Sequence, residues 1–186
     1  MKKAVVLFAE GFEEIEGLTV VDVLRRAGVL CDMCSVSSNK EVVGAHNIPI
    51  KTDITFDNAN FDEYEAIIMP GGIPGSTNLR DNNKVLDKVR DFNNKGKIVA
   101  AMCAAPIVLV AAGVVAERTI TAYPGIEKEL GNVNYSEEIV VQDGNIITSR
   151  GPATAIYFAL KILQNLSGRE VAENIKEGML VNLIEK

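Results

Sequence analysis

Short apolar runs alternate with segments of helical periodicity almost to the C-terminus. AVVLF (4–8), LCDMCSV (30–36), EAIIMP (65–70), KIVAAMC (97–103), RTITAY (118–123), EIVVQDG (138–144) and NIITS (145–149) predict strands. Residues 13–27, 83–95, 104–112, 152–166 and 169–177 predict helices, the first three closed by Gly28, Gly96 and Gly113. EVVGAHNIPIKTDITF (41–56) predicts short strands or a hairpin excursion. Near-continuous Val/Ile/Ala strands separated by helices predict a parallel sheet covered on both faces. No linker, repeat or low-complexity tract interrupts the pattern, so one doubly wound α/β domain is expected over residues 1–186. In such sheets ligands bind outside the carboxyl ends of the strands. That rule gathers Phe8 to Phe12, Pro70 to Gly72, Cys103 and Tyr123 at one edge.

Composition narrows the function classes. The net charge is −6 with no basic block, which disfavours nucleic acid as a primary partner. No apolar run reaches the roughly 18 residues that span a bilayer, so no membrane association is expected. MKKAVVLF is too short for a signal peptide and AEGFEE follows without a cleavage-like site, so it reads as the first strand. Three cysteines is an odd, low number for a secreted fold and favours a reducing, cytoplasmic location.

Cys103 ends an apolar run and is followed at once by AAP and a helical pattern. A thiol at a strand-to-helix turn meets unpaired N–H groups and the positive end of a helix, both of which favour thiolate. The alternative is an ordinary buried cysteine. MetCysAlaAlaPro has the small residues of a nucleophile elbow, and Pro106 suits a first helical turn. In the first helix Val20, Val23, Leu24 and Ala27 share one face, while Thr19, Asp22, Arg25 and Arg26 fall opposite. Glu16 lies on the apolar face, Glu14 on the polar side, and Glu13 inward at the helix mouth. Glu16 is either a satisfied structural carboxyl or, beside the thiol, a proton donor and acceptor with raised pKa. Gly71 and Gly72 after a strand offer backbone N–H groups for an oxyanion, or simply a turn.

The remaining candidates carry less. Cys31 and Cys34 fall inside one strand, where an odd offset sends their side chains to opposite faces. His46, the single histidine, reads as a loop residue, and no metal site is expected. Arg150, between a strand and a helix, is a candidate for an anion or subunit contact, as is Arg26; a structural role is the alternative. Ile15 and Leu18 on the polar side of the first helix suggest a contact surface there.

Taken together, AEGFEEIE, VDVLRRAG, IIMPGG, IVAAMCAAP and TSRGP resemble the ThiJ/PfpI superfamily, in its parkinsonism-associated deglycase-like branch. The resemblance covers nearly the whole chain. It implies a flavodoxin-like three-layer sandwich (class I glutamine amidotransferase-like), with a mostly parallel central sheet between helices, and a homodimer. It also implies an oxidisable Cys103 partnered by a protonated Glu16, and no cofactor. Family members are described as glutathione-independent glyoxalases, as protein deglycases and as redox-sensing chaperones. Two positions depart from relatives: Tyr123 stands where some carry histidine, and Ala104 where protease-like members carry histidine directly after the nucleophile.

The leading expectation is therefore a thiol enzyme acting on a small aldehyde substrate or a glycated protein. Cys103 adds to a methylglyoxal-type 2-oxoaldehyde, Glu16 moves protons, and Gly71, Gly72, Ala104 and Tyr123 line the oxyanion and substrate positions. The rival is a non-enzymatic sensor or chaperone whose Cys103 oxidises to sulfinate. Peptidase or amidase chemistry is disfavoured by Ala104.

Overall fold

The computed structural model describes residues 2–185. Its centre is a seven-stranded sheet formed by β1 (Lys3–Phe8), β2 (Leu30–Ser35), β5 (Ile54–Thr55), β6 (Ala66–Met69), β7 (Ile98–Met102), β10 (Val140–Asp143) and β11 (Ile146–Ser149). The order is β10-β11-β7-β6-β1-β2-β5. Every pairing is parallel except β10 with the edge of β11. The inner strands are apolar without alternation because both faces are covered. Val5, Leu7, Ile67, Met69, Val99 and Ala101 point into one core. Ala4, Val6, Phe8, Ala66, Ile68, Ala100 and Met102 point into the other.

Helices α2 (Gly75–Arg80), α3 (Asn83–Asn94) and α4 (Pro106–Ala112) cover the first face, through Leu79, Val85, Val89, Phe92 and Leu109. Helices α1 (Glu14–Arg26), α5 (Ala155–Ser167) and α6 (Arg169–Gly178) cover the second, through Val20, Val23, Leu24, Phe158, Leu163 and Ala172. This is the three-layer arrangement expected of the sequence. β3 (Glu41–Val43) and β4 (Pro49–Lys51) form the hairpin expected within 41–56. β8 (Thr119–Ile120) and β9 (Asn134–Tyr135) pair apart from the main sheet.

Three segments differ from the sequence reading. The strand expected over 118–123 stops at Ile120, because the following N–H groups find other acceptors: Thr121 bonds the Thr148 hydroxyl and Tyr123 the Cys103 carbonyl. The helix expected from residue 104 begins at Pro106, with Ala104 and Ala105 in the preceding turn. Helix α2 carries no periodic signal in GSTNLR. It rests on tertiary packing, with Leu79 buried and Gly75 lying so close to Phe12 that a side chain there would meet its amide nitrogen at 2.7 Å.

Candidate functional site

Three adjacent strands deliver the candidate residues to one edge. Cys103 follows β7, Gly71 and Gly72 follow β6, and Glu16 enters from the start of α1 after β1. Cys103 adopts φ +59°, a left-handed backbone costing about 1–2 kcal/mol for a residue with a Cβ. The conformation is pinned from both sides. Its N–H donates to Ser149 O at 2.9 Å, and its carbonyl accepts from the Tyr123 N–H at 2.9 Å. The turn leaves the thiol only partly covered.

Glu16 is fully buried. Its Oε2 accepts the Gly71 N–H at 2.6 Å, while Oε1, also buried, has no aligned hydrogen-bond partner. The Cys103 thiol interacts with this carboxyl. Gly71 makes this approach possible: a Cβ there would meet Cys103 Cβ at 2.6 Å and Glu16 Oε2 at 2.7 Å. Gly72 has φ +91°, and a Cβ on it would stand 2.6 Å from Gly11 O.

Burial pushes the Glu16 carboxyl up to about 7, helped by the charge of Glu13 and opposed by hydrogen bonds with Cys103 and Gly71. Burial also pushes the Cys103 thiol up, to about 12, and the adjacent Glu16 carboxylate adds to the rise. The amides of Gly72 and Ala104 face the sulfur and act the other way. The expected low-pKa thiolate is thus corrected. Helix-end amides are present, but desolvation and a neighbouring carboxylate outweigh them. Near neutrality the pair holds at most one negative charge, and placing it on sulfur requires an internal proton shift to Glu16.

The assignment of Gly71 as an oxyanion donor is corrected as well, since its N–H is committed to Glu16. Gly72 and Ala104 remain with amides facing the sulfur. Tyr123 lies 49% exposed at the mouth of a cavity of about 480 Å³ above Cys103. Arg150 is adjacent but outside that cavity. It donates to Glu137 O at 2.7 Å and borders a shallow cleft with Tyr123. Arg26 does not join the site: it pairs with Asp22 at 2.6 Å, ten residues or about 15 Å along α1 from Glu16.

Glu14 differs from its expected exposed position. The β3–β4 hairpin folds over the start of α1 and leaves Glu14 only 5% exposed. Its Oε1 accepts the His46 N–H at 2.8 Å, and Oε2 lies 2.7 Å from His46 Nδ1. Burial alone would raise the Glu14 carboxyl, but the hydrogen bonds from His46 prevail and hold it below the usual range. His46 is raised by the Glu14 contact and by Glu13. Glu13, Glu14 and His46 offer ligand atoms within 4.8 Å of one another, a grouping that could hold a metal ion. Cys31 and Cys34 are free, buried and on opposite faces of the sheet. Sequence reasoning missed the Ile73, Thr77, Ile107, Ile126 and Glu129 walls of the cavity, for no local pattern marks them. Among the described residues no helix is long and apolar enough to cross a membrane.

Comparison with known proteins gives a consistent picture. The family model described as "DJ-1/PfpI family" matches residues 2–165. Protein dj-1beta of Drosophila melanogaster is 38% identical, over 97% of each chain. The Parkinson disease protein 7 homolog of Danio rerio is 35% identical, again over 97% of each. A crystal structure of Drosophila melanogaster DJ-1beta aligns with TM-score 0.93 at 37% identity, covering 96% of this chain and 97% of that one. A structure of Toxoplasma gondii DJ-1, oxidized, also aligns with TM-score 0.93, at 32% identity, covering 97% and 98%.

Proposed function

Because the chain belongs to the DJ-1/PfpI family, we propose that it is a cysteine-dependent glyoxalase or deglycase serving in carbonyl and oxidative stress defence. The observation that carries this reading is the division of labour within one carboxyl group. Glu16 Oε2 is tied to Gly71, Oε1 is buried with no hydrogen-bond partner among the described residues, and the Cys103 thiol interacts with the same carboxyl. A carboxyl so placed, raised to about 7, both takes and returns a proton near neutrality.

In this reading Glu16 accepts the thiol proton as sulfur attacks the aldehyde carbon of a 2-oxoaldehyde. A carbon–sulfur bond forms and the carbonyl oxygen becomes the hemithioacetal oxygen, beside the Gly72 and Ala104 amides. Glu16 then moves a proton from that carbon to its oxidised neighbour through an enediol, leaving a thioester. Water cleaves the thioester, releasing a 2-hydroxy acid and free Cys103. The sum is addition of one water, and no external oxidant or reductant is needed. An early adduct on an amine or thiol would enter the same sequence. Lactate formed from methylglyoxal by wild type, Cys103→Ser and Glu16→Gln is the test. Equal lactate from all three would remove the proposal.

A second reading is a peroxide sensor. The likeness to a structure described as oxidized supports it, as does the free Glu16 oxygen, which protonated would bond a sulfinate. Intact mass after mild peroxide decides: two added oxygen atoms at Cys103 without aldehyde turnover favours the sensor. Peptidase chemistry lacks support, because the single histidine is engaged with Glu14 on the hairpin.

Homodimerisation is part of the same proposal. Ile15 is 57% exposed on α1, and Ile48 is 51% exposed on the hairpin folded over its start. Light scattering should give twice the chain mass; a monomer alone would count against it.

A further inference from the structure

The cavity above Cys103 is larger and differently charged than a three-carbon aldehyde requires. About 480 Å³ falls within the range of sites that enclose drug-sized ligands. Its walls are mainly apolar, through Ile73, Ala104, Ile107 and Ile126, and the Thr77 hydroxyl is already bonded to Pro74 O at 2.7 Å. Glu129 is the one lining side chain with a formal charge, and Tyr123 presents a half-exposed ring at the same mouth. Arg80 feels the Glu129 charge, but Asp81 holds it through Nε and Nη2 at 2.8 and 3.1 Å. Arg80 and Asp81 thus pair with each other, Arg150 borders the adjoining cleft that shares Tyr123, and Glu129 is left as the formal charge on the cavity wall itself.

We infer that Glu129 and Tyr123 form a cation-recognition subsite, so that the cavity selects thiol-reactive ligands with an apolar body ending in an ammonium or guanidinium group. An apolar shaft fits the isoleucine walls, and the cationic end meets a carboxylate and an aromatic face together. This names a substrate class for the proposed enzyme. It rests on Cys103 being the reacting atom of that reading, but not on turnover.

The test is the rate of Cys103 modification by three methanethiosulfonates: neutral methyl, cationic trimethylammonioethyl and anionic sulfonatoethyl. In each case thiolate attacks the reagent's sulfenyl sulfur and methanesulfinate leaves. Rates are normalised to those of a small free thiol, and Cys103→Ser establishes that the buried Cys31 and Cys34 are not labelled. The cation-over-anion preference in wild type should exceed that of Glu129→Gln by about fivefold at low salt, the scale of one rim charge acting on both signs. Tyr123→Leu should lower the cation rate by more than it changes the neutral one. Glu170→Gln removes the same formal charge away from the cavity and should change nothing. An equal preference in wild type and Glu129→Gln, or no cation preference in wild type, overturns the inference. Methylglyoxal turnover is scored separately on the same proteins. Charge selection without turnover ends the glyoxalase reading and leaves the subsite; turnover without charge selection does the reverse.

Discussion

Glu14 and Glu16 sit two residues apart on the first turn of α1, are both buried, and have opposite fates. Glu14 is met by the His46 ring and backbone N–H and is held ionised. Glu16 is met by one backbone N–H and a thiol, and its carboxyl is pushed up to about 7. The difference is the number of donors each finds when water is removed. A well-partnered carboxylate holds a hairpin in place. An under-partnered one becomes a group that trades protons.

The sharpest way to break this comparison is by turnover. Glu16→Gln should lower lactate formation from methylglyoxal by about 10²–10⁴-fold, the range of general acid–base assistance, whereas Glu14→Gln should leave it near wild type. Equal losses would make both residues merely structural.

Stability against pH separates the two by sign. The folded Glu16 carboxyl lies above its ordinary value of 4.5, so the native state binds more protons between 4.5 and about 7. Stability from this group is full below 4.5, declines through that window by something on the order of 3 kcal/mol, and levels off above it. Glu16→Gln should flatten the decline and raise the urea midpoint at pH 8 but not at pH 4.5. Glu14 runs the other way: its contribution is present above 4.5 and is lost as pH falls through its depressed folded value. His46 is raised above 6.5, so its share is present below 6.5 and is lost as pH rises through the folded value.

Gly71→Ala is expected to cost about 1–3 kcal/mol in urea denaturation, because the new methyl overpacks Cys103 and Glu16. It should also abolish turnover without altering either reacting group. The smallest effect is expected for Arg26→Gln, whose exposed partner Asp22 lies at the far end of α1. Unchanged turnover and thermal midpoint are the expected readings.

How much of this was legible in the sequence depends on how many neighbours each residue has. Strands such as AIIM and IVAAM are buried on both faces and announce themselves as apolar runs. Glu16 was legible because a helical wheel finds the face turned to the sheet. Glu14 was not, because the wheel knows one packing partner and the hairpin supplies a second. The position of Cys103 was readable from the strand-to-helix pattern, but its protonation was not. That depends on depth and on a carboxylate 87 residues earlier in the chain, and neither is a local property. Helix α2 and the Ile126 and Glu129 walls lack any periodic signature and exist only through tertiary contact.

The turn at Cys103 is fastened to Ser149 and Tyr123, both contributed by segments that follow it in the chain. Strand β7 could form earlier, but until those later segments dock, nothing constrains residue 103 to its left-handed conformation. A half-made or partly unravelled molecule would hold an ordinary cysteine. Whatever site-specific chemistry this sulfur performs beside Glu16 waits on the completion of folding.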